Sequence, residues 1–83
     1  MTILEQVSEQ SGHSIERILS KRRFANITRA RHCAMWAMRQ QGMSFPAIGR
    51  VFNRHHTSVM HACSKVESLR GKVGPTWALA VML

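Results

Sequence analysis

Asn53-Arg54-His55-His56-Thr57-Ser58-Val59-Met60-His61-Ala62-Cys63-Ser64-Lys65-Val66 is the stretch on which the fold turns. It opens with side chains that can hydrogen-bond base edges. It continues as an amphipathic helix, predicted over about 56–71. Val59, Cys63, Val66 and Leu69-Arg70 repeat at the i, i+4, i+7 spacing of a core stripe, while Thr57, Ser58, His61 and Lys65 form the opposite, polar stripe. Upstream, Ser44 can cap a short helix over about 44–52, with Pro46 in the first turn, where its missing N–H does no harm. In that helix Ile48, Val51 and Phe52 are expected to face the core, and Gly49 suits a close approach of two helices. Asn53, tolerant of left-handed backbone, makes the turn. Two helices across a tight turn, the second carrying base-reading side chains in its first turn, make a helix-turn-helix whose second helix lies in the major groove of duplex DNA.

The rest of the chain reads as helix as well. Thr2 can cap a helix holding Ile3, Leu4 and Val7 and ending near Ser11-Gly12. Ser14 can cap a second, with Ile15, Ile18 and Leu19 on one face. Lys21-Arg22-Arg23 forms a basic loop. Asn26 or Thr28 is expected to cap a third helix over about 29–41, with Cys33, Ala34, Ala37 and Met38 inward, Arg31 and Arg39 outward, and Gly42 as its end. Gly71 and Gly74-Pro75 are expected to end the fifth helix, and Thr76 to cap a last apolar one over 77–83. With no β-period segment, the expectation is an all-α, compact single domain over 1–83, of five to six helices. The uncharged tail 76–83 has two readings: a helix docked on the first helix, or a surface for a second copy or a protein partner.

Composition narrows the function classes. The chain has 83 residues, is 45% hydrophobic and has no Tyr, so the core should be aliphatic with Met, Ala and Cys filling gaps. Cys33 and Cys63 are too few for a disulfide framework and read as buried thiols of a cytoplasmic protein. No apolar run approaches the ~20 residues of a membrane span. Net charge is +8, and residues 21–72 hold every Lys and Arg except Arg17, against Glu67 alone. Cations gathered into one segment point to a polyanion, most simply nucleic acid, and to a nucleoid-associated location. Metal is not expected. His55, His56, His61 and Cys63 do not converge on one helix face, and neither His-x-x-x-His nor Cys-x-x-Cys occurs. No catalytic residue is assigned: His32-Cys33 has no acid partner nearby in sequence.

The block His56-Thr57-Ser58-Val59-Met60-His61-Ala62-Cys63-Ser64-Lys65-Val66 resembles the signature of the C-terminal DNA-binding domain of the bacterial replication initiator DnaA. The resemblance extends back through Phe45-Pro46-Ala47-Ile48-Gly49-Arg50-Val51-Phe52, Arg29-Ala30-Arg31 and Leu19-Ser20-Lys21-Arg22-Arg23, and covers about residues 5–72. It implies an all-helical domain on a nine-base-pair duplex element, the DnaA box. A basic-loop arginine in the minor groove is implied at Arg23. A base-reading cluster is implied at His55, His56, Thr57 and Ser58, with Pro46 near a thymine methyl. Phosphate contacts are implied at Arg31, Arg39, Arg54 and His61. On charge and position, Lys21, Arg22, Arg29 and Lys65 are added to that backbone-contacting set.

Three departures from the family stand out. His55 occupies a position where the family usually has Asp. Asp accepts from the cytosine amino group, whereas His can donate to a purine N7 or accept in one tautomer. The turn is one residue shorter, with Asn53 in place of two glycines. The family's ATPase domain has no counterpart in these residues, which contain no Gly-x-x-x-x-Gly-Lys-[Ser/Thr] phosphate loop, so neither nucleotide nor any other cofactor is expected. The start Met1-Thr2 favours a free-standing protein built on that domain over an excised piece. The resulting expectation is a non-enzymatic, sequence-specific duplex-DNA binder that controls replication initiation or transcription. Two rivals stay open: an interaction module using 76–83, and sequence-indifferent nucleoid binding by charge.

Overall fold

The computed structural model describes residues 2–73. In chain order they form α1 (Ile3–Ser11), α2 (Ile15–Leu19), α3 (Ala25–Gln40), α4 (Phe45–Phe52) and α5 (His56–Val73), with no strand among the described residues. The all-α expectation and the helix-turn-helix pairing of α4 with α5 are borne out. No helix among the described residues is long and apolar enough to cross a membrane. The expected last helix over 77–83, its cap Thr76, the break at Gly74-Pro75 and the side chains of Leu69 and Arg70 lie outside what is described.

Local chemistry sets most boundaries. Thr2 and Glu5 form a reciprocal capping box at the start of α1, and Gly12 ends it in left-handed backbone at φ +75°. Ser14 Oγ accepts from Arg17 N–H at 3.2 Å and starts α2. Ser44 Oγ accepts from Ala47 N–H at 3.2 Å and starts α4, one residue before Phe45-Pro46. Two expected boundaries are corrected. α3 begins at Ala25, four residues early, and neither Asn26 nor Thr28 caps it; Phe24 holds the cap position without a side-chain hydrogen bond. Burial explains this, because Ile27 is already in the core and its backbone must be helical to put it there. α5 runs through Gly71 to Val73, past the expected stop, and one interior glycine costs only roughly 1 kcal/mol, too little by itself to end a helix.

α3 is the hub and packs against all four other helices, while α5 lies across α3 and α4. A helix covered on so many sides has little outer face. Ile27, Ala30, Cys33, Ala34, Met35 and Met38 are all buried along it. Met35 therefore joins the inward set that the sequence suggested, and Ala37 sits only half-buried. The core is aliphatic with sulfur and alanine infill, as expected. Ile18, Met35, Ile48, Val59 and Phe52 are its largest fully buried side chains. Each contributes roughly 1.5–3 kcal/mol by leaving water. Val51 is a further correction: it is 39% exposed, because α4 turns Ile48, Gly49 and Phe52 inward and leaves Val51 on the outer flank.

Candidate nucleic-acid interface

The turn between α4 and α5 is built from the end of α4. Asn53 takes left-handed backbone at φ 52°, ψ 49°. Its N–H bonds to Arg50 O at 3.4 Å, and Arg54 N–H bonds to Gly49 O at 2.8 Å. That pair of bonds is a Schellman closure. It brings the chain back against Gly49, where an added Cβ would lie 2.5 Å from the Arg54 carbonyl oxygen. The close approach expected at Gly49 is real, but the neighbour is the turn backbone rather than a helix. One left-handed residue thus closes the turn.

His55 then caps α5. Its Nδ1 accepts from Thr57 N–H at 3.3 Å and lies 2.8 Å from Thr57 Oγ1. The rings of His55 and His56 sit 4.3 Å apart, tilted by 36°. His55, His56, Thr57 and Ser58 are all exposed around this first turn, while Val59, Ala62, Cys63 and Val66 hold the other face of α5 in the core. An open depression beside the turn is lined by Pro46, Gly49, Arg50, Asn53, Arg54, His55 and His56. Pro46 is thus brought beside His55 and His56. Arg50, exposed and one helical turn beyond Pro46, belongs to the same surface and was missed by the sequence reading. Its i, i+4 spacing from Pro46 was the available signal.

The basic side chains divide into two groups. Lys21, Arg22, Arg23, Arg29, His61 and Lys65 are exposed. Arg39 is exposed but engaged: its guanidinium stacks 4.3 Å over the Phe45 ring, and Nη1 donates to Met43 O at 3.1 Å. Phe24, beside Arg23, is 63% exposed.

Arg31 is the main correction. Expected outward and on phosphate, it is 3% exposed and lies between Ile27 and Met35 on the covered side of α3. Its Nε donates to Ile18 O at 2.8 Å, and its Nη2 is buried without a hydrogen-bond partner. Arg54 is half-buried; its Nη2 donates to Ser20 O at 3.4 Å, and its Nε is also buried without one. Two carbonyls that the end of α2 leaves open are thus taken by two arginines from elsewhere in the chain. Burial first, and the Arg54 cation second, lower the Arg31 value from its usual one. His32 is lowered by burial first, then by Lys65, Arg31 and Arg54.

The thiols are poor nucleophiles. Burial pushes Cys33 up to about 11. Cys63 is raised as well, by burial first, with Arg39 opposing and Glu67 adding. No group of three His, Cys, Asp or Glu side chains among the described residues could hold a metal ion.

Comparison with known proteins agrees with this architecture. The family described as the bacterial dnaA protein helix-turn-helix matches residues 1–66. The chromosomal replication initiator protein DnaA of Methylobacillus flagellatus is 41% identical over 70 residues, which is 82% of this chain and 15% of that protein. That of Bradyrhizobium sp. strain BTAi1 is 44% identical over 68 residues, 80% of this chain and 14% of its own length. That of Picosynechococcus sp. strain PCC 7002 is 40% identical over 72 residues, 84% and 16%. The chain therefore spans only about a sixth of the length of these curated relatives, and on this evidence it belongs to the bacterial DnaA helix-turn-helix family.

Proposed function

We propose that this domain, a single unit over 1–83, binds a DnaA-box-like element in double-stranded DNA, with the start of α5 in the major groove and Arg23 in the minor groove. DNA binding at the coarse level follows from family membership, since a DnaA helix-turn-helix domain is a DNA-binding domain. The finer reading rests on one observation above the others: His55, His56, Thr57 and Ser58 are all exposed on the first turn of α5, while the opposite face is buried. That end of a recognition helix enters the groove. Pro46 and Arg50 border the same depression and extend the surface along α4. Arg23 stands exposed in the loop before α3, where a mobile guanidinium suits the enhanced negative potential of a narrow A·T-rich minor groove. Lys21, Arg22, Arg29, Arg39, Arg54, His61 and Lys65 are the proposed phosphate-contacting set. Arg31 is not proposed again; burial gives it a structural role.

The role proposed for these residues is to occupy sites on duplex DNA. Its biological setting is control of replication initiation or of transcription at such sites, on the nucleoid. The relatives are replication initiators, which supports that setting. Binding-site selection from random duplexes is the test. Recovery of a DnaA-box-like core, with affinity falling steeply with salt (a slope of log K on log salt near −5 for about six neutralised phosphates), is the expected result. Equal affinity for all sequences would leave only charge-based binding, and no DNA binding would leave a protein-interaction role.

A further inference from the structure

We propose that His55 is a specificity-determining residue whose Nδ1 is used up in capping α5, so that it offers the groove a single donor, Nε2–H, suited to a purine N7 and not to the cytosine amino group. The inference deepens the reading of α5 as the major-groove helix and rests on it.

The argument is one of donors and acceptors. A backbone N–H can only donate, and that of Thr57 lies 3.3 Å from His55 Nδ1. A proton on Nδ1 would face that N–H directly. Nδ1 is therefore the lone-pair nitrogen, and the neutral ring carries its proton on Nε2. The same assignment decides Thr57. Its Oγ1 is 2.8 Å from Nδ1, so its hydroxyl proton is given to the ring, and the oxygen keeps only lone pairs for other partners.

A histidine and a threonine that could each have played either role in isolation are thus polarised by one cap. His55 donates through Nε2, and Thr57 accepts through Oγ1. Both side chains are exposed, and His55 borders the depression with Pro46 and Arg50. In the major groove adenine presents an acceptor, N7, beside a donor, the N6 amino group; guanine presents two acceptors; cytosine presents only a donor at that edge. The His55–Thr57 pair matches the adenine order, and a cytosine amino group would leave Nε2–H without a partner.

Three measurements test this on the whole chain. Long-range proton–nitrogen NMR of the free protein should show His55 with pyridine-like Nδ1 and pyrrole-like Nε2. Site selection with the wild type should yield a purine, adenine foremost, at the step His55 reads. His55→Asp, an acceptor-only cap, should move that step to cytosine and leave the other positions alone. Replacing the selected purine by its 7-deaza analogue should weaken the wild type about 3- to 10-fold, the range for one lost hydrogen bond, and leave His55→Asp unchanged. A protonated Nδ1, an unchanged preference in His55→Asp, or indifference to the 7-deaza base would each overturn the inference while sequence-specific binding stands. Failure of the wild type to select any sequence would overturn this inference together with the reading of α5 beneath it.

Discussion

Arg54 Nη2 donates to the carbonyl oxygen of Ser20 at 3.4 Å, across 34 positions of sequence. Arg54 belongs to the turn that aims α5, and Ser20 begins the loop that carries Lys21, Arg22 and Arg23. One side chain therefore ties together the two segments proposed to enter the two grooves.

Arg54→Ala should weaken binding to specific and random duplexes alike while barely moving stability. The long hydrogen bond to Ser20 is lost, but so are a buried Nε without a partner and the repulsion with Arg31. These opposing effects should leave unfolding within about 1 kcal/mol of wild type. Urea unfolding and fluorescence anisotropy with two duplexes check both halves. A large loss of stability with unchanged affinity would make the link purely structural.

Arg31→Ala should destabilise the fold by about 1–3 kcal/mol, because Ile18 O loses its donor and a core-lining side chain is removed. Arg31→Met keeps most of the volume and removes a buried charge whose Nη2 has no partner, so its cost should be clearly smaller. Paired urea melts decide this; equal costs for the two variants would refute the packing account.

At the turn, Gly49→Ala places a methyl 2.5 Å from the Arg54 carbonyl oxygen, which is backbone and cannot swing aside. The expected loss is about 1–3 kcal/mol, as for overpacking in a core. Asn53→Gly should be tolerated, whereas Asn53→Ala should cost about 1 kcal/mol, since alanine resists left-handed backbone. Thermal melts of the three variants test the order Gly49→Ala, then Asn53→Ala, then Asn53→Gly.

His32 predicts an acid-sensitive fold. Its value is lowered in the folded state by burial first and by Lys65, Arg31 and Arg54 after that, so the unfolded chain binds the proton more readily. Stability then rises with pH wherever the unfolded state holds more protons. The contribution of neutral His32 is complete above the unfolded value of 6.5 and is lost as pH falls below it. His32→Gln should flatten the stability profile in that window. An identical slope in the variant, by urea unfolding at a series of pH values, would assign the sensitivity elsewhere.

The elements most legible in the sequence were those governed by local chemistry. Thr2, Ser14, Ser44, Gly12 and Asn53 act on backbone groups within a few residues of themselves, and each lies where the sequence put it. The polar and apolar stripes of α5 were legible for a similar reason, since helical periodicity needs no knowledge of the partner surface. The start of α3 was not legible, because burial of Ile27 chose it over the capping preferences of Asn26 and Thr28.

Which arginines face outward was decided only in three dimensions. Arg31 and Arg39 look equivalent in sequence, two cations on one helix. Packing of α3 against α2 buries Arg31 under the carbonyl of Ile18, while Arg39 lies over Phe45 at the surface. The hydrogen bonds of His55 Nδ1, by contrast, run to Thr57 only two residues on and belong to the local start of α5. By itself the sequence determined that the chain is helical, the caps that start α1, α2 and α4, and the residues offered at the start of α5, because backbone hydrogen bonding and periodicity are local. The tertiary structure decided which cations stay available, because the burial of Arg31 and its hydrogen-bond partner Ile18 depend on residues distant in the chain.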